Sequence, residues 1–306
     1  MNERKKTMFD IIIIGGGPAG LTAAIYAGRA SKRALIIEKA GFGGQMTHSP
    51  KIENYPGFKE ISGNELADLM LEQAISLGAD IALEEVTAIT GGEIKKVTTD
   101  YGEYEAKAVI IAAGVKHRTL GVPGEEERIG NGISFCAVCD GAFYAGKDIT
   151  VIGGGNSAMQ EAIMLSEQCR SVTMIQDMPY LTGEAALAKI IEGKDNIKVI
   201  TGAKVLSFEG EDGVSAVRIS HNGTEQAVPC DGCFIAIGLI PSNQAAADVA
   251  ELDKYGYIVS DEKCLTKSEG IFVAGDCRTK SVRQITTAAS DGATAALAAC
   301  RYIEGR

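Results

Sequence analysis

Asp10-Ile11-Ile12-Ile13-Ile14-Gly15-Gly16-Gly17-Pro18-Ala19-Gly20 is a β-branched apolar run that ends in a cluster of glycines. Leu21-Thr22-Ala23-Ala24-Ile25-Tyr26-Ala27 follows with a helical pattern. Strand, glycine turn and helix in that order make the dinucleotide-binding fingerprint G-x-G-x-x-G/A. Gly15 makes the tight turn. Gly17 lets the backbone approach a pyrophosphate, and Gly20 keeps the helix close to the strand. The first N–H groups of the helix then face the phosphates with the positive end of its dipole.

One such fingerprint is weak evidence, because any glycine-rich turn can mimic it. The chain holds a second. Asp148-Ile149-Thr150-Val151-Ile152-Gly153-Gly154-Gly155-Asn156-Ser157-Ala158 runs into the helical Met159–Leu165. Gly153, Gly155 and Ala158 take the three small-residue places. The first copy has further support from Ala34-Leu35-Ile36-Ile37-Glu38, a strand that ends in an acid. Glu38 falls about 20 residues on, where a carboxylate accepts from a ribose diol. Near the other end, Gly270–Asp276 reads as a short buried strand stopping in Gly-Asp, and Ile285–Tyr302 as a small-residue helix. The expected fold is α/β, with two Rossmann-like three-layer nucleotide-binding domains, the second inserted in the first. The expected divisions are 1–116, 117–245 and 246–306. Turn residues and a proline mark Gly114–Gly124 and Ile240–Ala247 as linkers.

The length of 306 residues suits two domains, and 45% hydrophobic with 23% charged residues suits a globular chain. A net charge of −10 gives no general attraction for nucleic acid or an anionic membrane. Ile11–Ile14 is far short of the about 20 residues that span a bilayer. The head Met1–Asp10 is charged and leads into no signal-type apolar core, so a cytoplasmic protein is expected. In that compartment eight cysteines are not a disulfide framework, and a Cys-x-x-Cys pair points to redox chemistry or a metal.

Cys136-Ala137-Val138-Cys139-Asp140 lies just before the second fingerprint. Two cysteines at this spacing can close a small disulfide ring. A helix starting there would lower the pKa of the first thiol, and Asp140 could carry a proton to or from a thiolate. The competing reading is half of a zinc site, which needs four nitrogen or sulfur ligands. His48, His117 and His221 are scattered, so no metal is expected. Cys230-Asp231-Gly232-Cys233 reads as a turn into a buried strand, with a second redox pair as the less favoured alternative. Cys169, Cys264 and Cys300 read as packing residues, and Cys277 follows Asp276 without an assigned role.

Taken together, the chain resembles the low-molecular-weight, FAD-dependent thioredoxin reductases along nearly its whole length. The resemblance rests on Gly15–Gly20, Gly43-Gly44-Gln45 through Asn54-Tyr55-Pro56-Gly57, Cys136–Gly141, Gly153–Ala158, Ala236-Ile237-Gly238, and Gly275-Asp276 with Arg283-Gln284. It implies an FAD pyrophosphate on Gly15, Gly17, Pro18, Ala19 and Gly20, and its adenosine ribose on Glu38. It implies Gln45 and Asn54 along the flavin, Asp276 on the ribityl chain, and Arg283 and Gln284 at the isoalloxazine end. Lys39, Gly43, Gly44, Val86, Gly114, Gly275 and Ile285 complete the cofactor-binding set. Cys139 is then the thiol nearest the flavin, Asp140 the acid–base, and Cys136 the sulfur that attacks the disulfide of thioredoxin. A homodimer is the usual assembly.

The chain departs from that family where its usual members hold the 2′-phosphate of NADPH with a His-Arg-Arg cluster. Here Ser171–Ile175 is followed by Gln176-Asp177-Met178-Pro179-Tyr180-Leu181-Thr182, with no Arg or Lys between Arg170 and Lys189. A dianionic phosphate facing Asp177 is repelled and unpaired. Two donors remain. Asp177 can take the ribose diol of NADH, with Gly153, Gly155, Asn156, Ser157 and Ala158 holding the phosphates. Alternatively those residues are a vestigial nucleotide site and the donor is reduced ferredoxin, as in a pyridine-nucleotide-independent branch to which the sequence is similar. The second is the favoured expectation. Ferredoxins are acidic, so docking needs basic residues; Arg29, Lys32 and Arg33 form one cluster, and Lys116 with Arg118 another. A dithiol oxidase on this fold usually lacks an acid after the second cysteine, which Asp140 supplies. A non-catalytic flavin redox sensor is the third alternative.

Overall fold

The computed structural model describes residues 8–305. The reading of the head as far as Thr7, and Arg306, lie outside the described residues. β1 (Met8–Ile14) leads through the glycine turn into α1 (Pro18–Arg29), and β2 (Ala34–Glu38) follows. α2 (Gly63–Ser76) starts where the Ser62 side chain accepts from the Glu65 N–H, a serine cap on a helix with acid in its first turn. Then come β3 (Asp80–Leu83), β4 (Val86–Thr90), β5 (Lys95–Thr99) and the long β6 (Glu103–Ile111). β7 (Val115–His117) leads to β8 (Ile133–Ser134), α3 (Ala137–Asp140), β9 (Asp148–Ile152) and α4 (Asn156–Ser166). β10 (Ser171–Ile175), α5 (Ala185–Glu192) and β11 (Ile197–Ile200) continue the alternation. β12 (Ala203–Glu209), β13 (Ala216–His221) and β14 (Thr224–Pro229) precede β15 (Gly232–Ile235) and β16 (Leu239–Pro241). β17 (Ile271–Val273) and α6 (Ile285–Ile303) come last.

These elements divide into two Rossmann-like units. One takes the chain up to Lys116 and again from Ile240; the other is His117–Leu239. The return to the first unit therefore comes six residues before the expected division at 245/246. Asn243 explains it. Its buried side-chain amide donates to the carbonyls of Gly256 at 2.9 Å and Cys277 at 2.8 Å, both in the first unit.

In the first unit a sheet ordered β3-β2-β1-β6 is parallel. One half of β6 pairs with the antiparallel β5 and the other half with the parallel β17. β1, β2, β17 and the second half of β6 are buried on both faces, which is why their sequences are almost unbroken apolar runs, whereas the edge strand β3 is mostly exposed. Ile11, Ile13, Ile36 and Ile110 pack toward Leu21, Ala24, Leu66 and Ala295 of the helices. Ile12, Ile14, Leu35, Ile37 and Val109 pack toward Ile89, Val97, Val249 and Ile258.

The second unit has a five-stranded parallel sheet ordered β11-β10-β9-β15-β8. Val151, Val172, Met174 and Phe234 pack with Met159, Ala162 and Leu165 of α4. Ile152, Ile175 and Ile235 pack on Val205, Val217 and Ile219 of an antiparallel β12-β13-β14 sheet. In both units the carboxyl ends of the parallel strands reach the glycine turns, where such folds bind ligands.

Candidate active site

Gly15 sits at φ 109°, and a Cβ on it would lie 2.2 Å from the Ala112 carbonyl oxygen. A Cβ on Gly20 would lie 1.9 Å from the Gly15 oxygen, so the turn and the helix can approach only as glycines. Gly17 caps α1 with no side-chain acceptor, and the first turn of α1 has no acid. That leaves the start of α1 suited to an anion. Gly43, in the left-handed region, donates to the Gly16 carbonyl at 2.8 Å and brings Gly44 beside Gly17. Glu38 ends β2 with its carboxylate accepting from Gly16 N at 2.7 Å and Ala40 N at 3.0 Å. Each oxygen keeps a further lone pair for a diol. Lys39 pairs with Glu85, next to Val86.

The end of β17 completes this cradle. Gly275 is left-handed and lies against Ala19. Asp276 follows it with Oδ1 buried and without a partner among the described residues, and burial pushes its carboxyl up from the usual range. An orphaned acceptor in a glycine-lined cradle fits a hydroxyl-bearing ligand. Arg283 donates to the Asp276 carbonyl at 3.3 Å and covers the Tyr257 ring. Gln284 caps α6 with Thr287, one residue before Ile285, and accepts from Asn54 at 3.3 Å across 230 residues. Gln45 is exposed and Gly114 is left-handed at the turn after β6.

In the second unit Cys136 and Cys139 form a disulfide with Cα atoms 5.3 Å apart. Cys136 is the cap of α3, and its Sγ accepts from the Cys139 N–H at 3.1 Å. Asp140 is the last residue of α3. Its Oδ2 is 2.6 Å from the Ser134 hydroxyl, its Oδ1 is buried without a partner, and burial raises its pKa. Val138, between the cysteines, is 62% exposed, so this side of the ring is open to a partner. The other six cysteines are buried free thiols. Burial pushes Cys230 up to about 11 and Cys233 higher still, which removes both as nucleophiles near neutral pH. Among the described residues no cluster of His, Cys, Asp or Glu could hold a metal ion.

The second glycine turn keeps the form of the first, with Gly153 at φ 128° and Gly155 capping α4. Asn156 holds the segment before α5, donating to Glu184 Oε1 at 3.0 Å and accepting from Glu184 N at 2.7 Å. Ser157 and the buried Ala158 follow in the first turn of α4. Gln176 is buried over Gly154, whereas Asp177, Met178 and Tyr180 are exposed.

The pyridine nucleotide-disulphide oxidoreductase family profile matches residues 9–292. The chain belongs to this family. It is 44% identical to a thioredoxin reductase of Treponema pallidum over 98% of both chains. It is 41% identical to one of Bacillus subtilis over 99% of this chain and 97% of that one. The crystal structure of thioredoxin reductase from Streptococcus pyogenes matches with a TM-score of 0.95 at 41% identity, covering 99% of this chain and 100% of that one. The family is FAD-binding, and the chain is an FAD-dependent oxidoreductase of the thioredoxin reductase type. Among the described residues no helix is long and apolar enough to cross a membrane.

Sequence reading missed two supports of these family sites. Asp291, inside α6, accepts from Arg278 Nε and Nη2 at 2.9 Å, Lys280 Nζ at 2.9 Å and Gly275 N at 3.0 Å. It thereby ties the Gly275–Asp276 turn to the helix. Burial opposes its charge, but the hydrogen bonds from Arg278 and Lys280 outweigh it and hold the carboxyl below the usual range. An acid with three small neighbours in a helix carries no sequence signal for this. Ser134 is the second, and it too reads as an ordinary strand residue. One expected cluster is corrected. Lys32 pairs with Glu304 at 2.9 Å and Arg33 with Asp80 at 3.0 Å, leaving Arg29 of the three as the exposed cation without an ion pair among the described residues. Lys116 and Arg118 are both exposed.

Proposed function

We propose that the protein reduces the disulfide of thioredoxin through Cys136 and Cys139. The observation that carries this reading is the disulfide closed at the start of α3, with a backbone N–H on Cys136 Sγ and a buried acid beside it. In the reduced pair, that N–H favours a thiolate on Cys136. Cys136 then attacks a sulfur of thioredoxin, and Cys139 displaces the reduced partner by closing the ring again. Gly15, Gly17, Pro18, Ala19, Gly20, Gly43 and Gly44 hold the FAD pyrophosphate, and Glu38 with Lys39 and Val86 holds the adenosine side. Gly114, Gly275, Asp276, Arg283, Gln284, Ile285, Gln45 and Asn54 hold the ribityl and flavin side. Bound FAD supplies the two-electron chemistry that reopens the disulfide. Buried free thiols suit a reducing, cytoplasmic setting, and a homodimer follows from the resemblance.

For the donor we favour reduced ferredoxin. The supporting observation is the exposed Asp177 with Met178 and Tyr180 where a 2′-phosphate would need cations. Of the two expected basic clusters, Arg29, Lys116 and Arg118 are the exposed cations left for docking. NADH is the second reading, supported by the retained left-handed Gly153 and by the exposure of Asp177. Anaerobic titration of the FAD-loaded protein with NADPH, NADH and reduced ferredoxin, with thioredoxin as acceptor, separates them. Flavin bleaching and turnover with ferredoxin alone are expected. Bleaching by NADH alone makes Asp177 the ribose ligand, and prompt bleaching by NADPH removes both readings.

A further inference from the structure

Ser134 is 6% exposed at the end of β8. Its oxygen accepts from the Cys136 N–H at 3.1 Å and stands 2.6 Å from Asp140 Oδ2. A buried hydroxyl has one proton, and that proton needs an acceptor. Asp140 Oδ2 is the acceptor within reach, at a separation typical of a hydroxyl donating to a carboxylate. Oδ2 is thus committed as an acceptor in both charge states of the acid. Oδ1 is buried and has no partner among the described residues.

We infer that Ser134 is a positioning residue: it reserves Oδ1 of Asp140 as the oxygen that takes up and releases the proton during disulfide exchange. This rests on the proposed role of Cys136 and Cys139. The thiol proton of Cys136 first passes to Oδ1, leaving the thiolate; its Sγ then bonds to one substrate sulfur as the substrate S–S bond breaks. The departing sulfur takes that proton. Closure of the Cys136–Cys139 bond then frees the other substrate sulfur, which takes the proton of Cys139. Two electrons and two protons move from the dithiol to the substrate, and Asp140 ends as it began. The other titratable groups around this carboxyl are Cys136, Cys139, the Tyr144 phenol and Glu161, the single ionisable side chain on α4, which packs against α3. Lys147 lies over the Tyr144 ring, and no cation bonds to Asp140 among the described residues. The Ser134 hydroxyl is thus the group that favours the ionised form.

The test uses the FAD-loaded enzyme with Ser134→Ala, Ser134→Thr and Ser134→Cys. Loss of a hydrogen bond to a charged acceptor raises the pKa of Asp140 by about one unit. The acid limb of kcat/KM for thioredoxin then moves up by about one pH unit in Ser134→Ala, with the alkaline plateau and KM unchanged. Ser134→Thr retains the wild-type profile. Ser134→Cys, a weak donor of similar size, shifts it less and serves if the alanine variant does not fold. Infrared titration of the carboxylic C=O band lost in Asp140→Asn follows the same proton without turnover. Absence of thioredoxin turnover in the wild type would remove the proposed substrate yet leave this band to be read. An unshifted band, or a rate lowered equally at every pH, overturns the inference.

Discussion

At the residue scale, the proposed chemistry rests on two sulfurs and a few buried acids whose surroundings set their charge. Cys139→Ser is expected to abolish turnover with thioredoxin and to leave bound FAD and its absorbance intact, because the cradle lies in the other unit. A protein that loses FAD with this change would tie the pair to the cradle. Glu161 gives a second expectation. Burial alone lifts its carboxyl from the usual 4.5 to about 7, and Oε2 has no partner among the described residues. The folded state therefore holds a proton that the unfolded state has released between these values. Its contribution to stability is fully present below pH 4.5 and is lost as pH rises through about 7. The loss at pH 8 is on the order of 3 kcal/mol. Glu161→Gln should accordingly raise the melting temperature at pH 8 and change it little at pH 4, as calorimetry at the two values can check.

At the element scale, the two glycine turns and the strands that feed them were legible because backbone sterics leave few residues able to occupy them. Gly15 and Gly20 are required by contacts of about 2 Å, and the same need recurs at Gly153, whose Cβ would meet the Ala236 oxygen at 2.6 Å. The cysteine pair was legible from spacing and the neighbouring acid. The Asp291 hub was not. Its partners Gly275, Arg278 and Lys280 lie more than ten positions away, and nothing in a helical pattern announces that an acid points inward. Nor did alternation in β12–β14 stand out, since the almost wholly exposed strand Thr224–Pro229 runs three polar and then three apolar residues and shows no period of two. Asp291→Asn takes the buried counter-charge from Lys280 and leaves Arg278 only the exposed Glu262 at 3.7 Å. A loss of about 3–5 kcal/mol is expected from denaturant unfolding. Weaker FAD retention on dilution should accompany it, because the Gly275–Asp276 turn loses its tether. Unchanged FAD retention would show that the hub serves stability alone.

At the scale of the whole molecule, the chain crosses twice between units that each bury a core of their own. His117–Leu239 is continuous, contains both of its sheets and carries the Cys136–Cys139 disulfide. Expressed alone, this segment is expected to unfold cooperatively and to keep the Cys136–Cys139 bond, as circular dichroism and thiol counting can show. A molten or insoluble segment would mean that its core depends on the rest of the chain. The inserted arrangement was visible in the order of the two fingerprints. Turn residues and a proline also marked Ile240–Ala247 as the second linker, and the return to the first unit falls at its first residue.

The placement of β17 against β6 has a consequence for biosynthesis. A ribosome delivers the amino-terminal sheet early, then the whole inserted unit, and only afterwards the strand and helix that seal the sheet. The inserted unit with the Cys136–Cys139 disulfide can therefore mature while the other unit, where FAD is proposed to bind, waits with the edge of Val109–Ile111 unpaired. Cofactor capture becomes a late event, and premature termination would spare the disulfide centre while forfeiting the flavin.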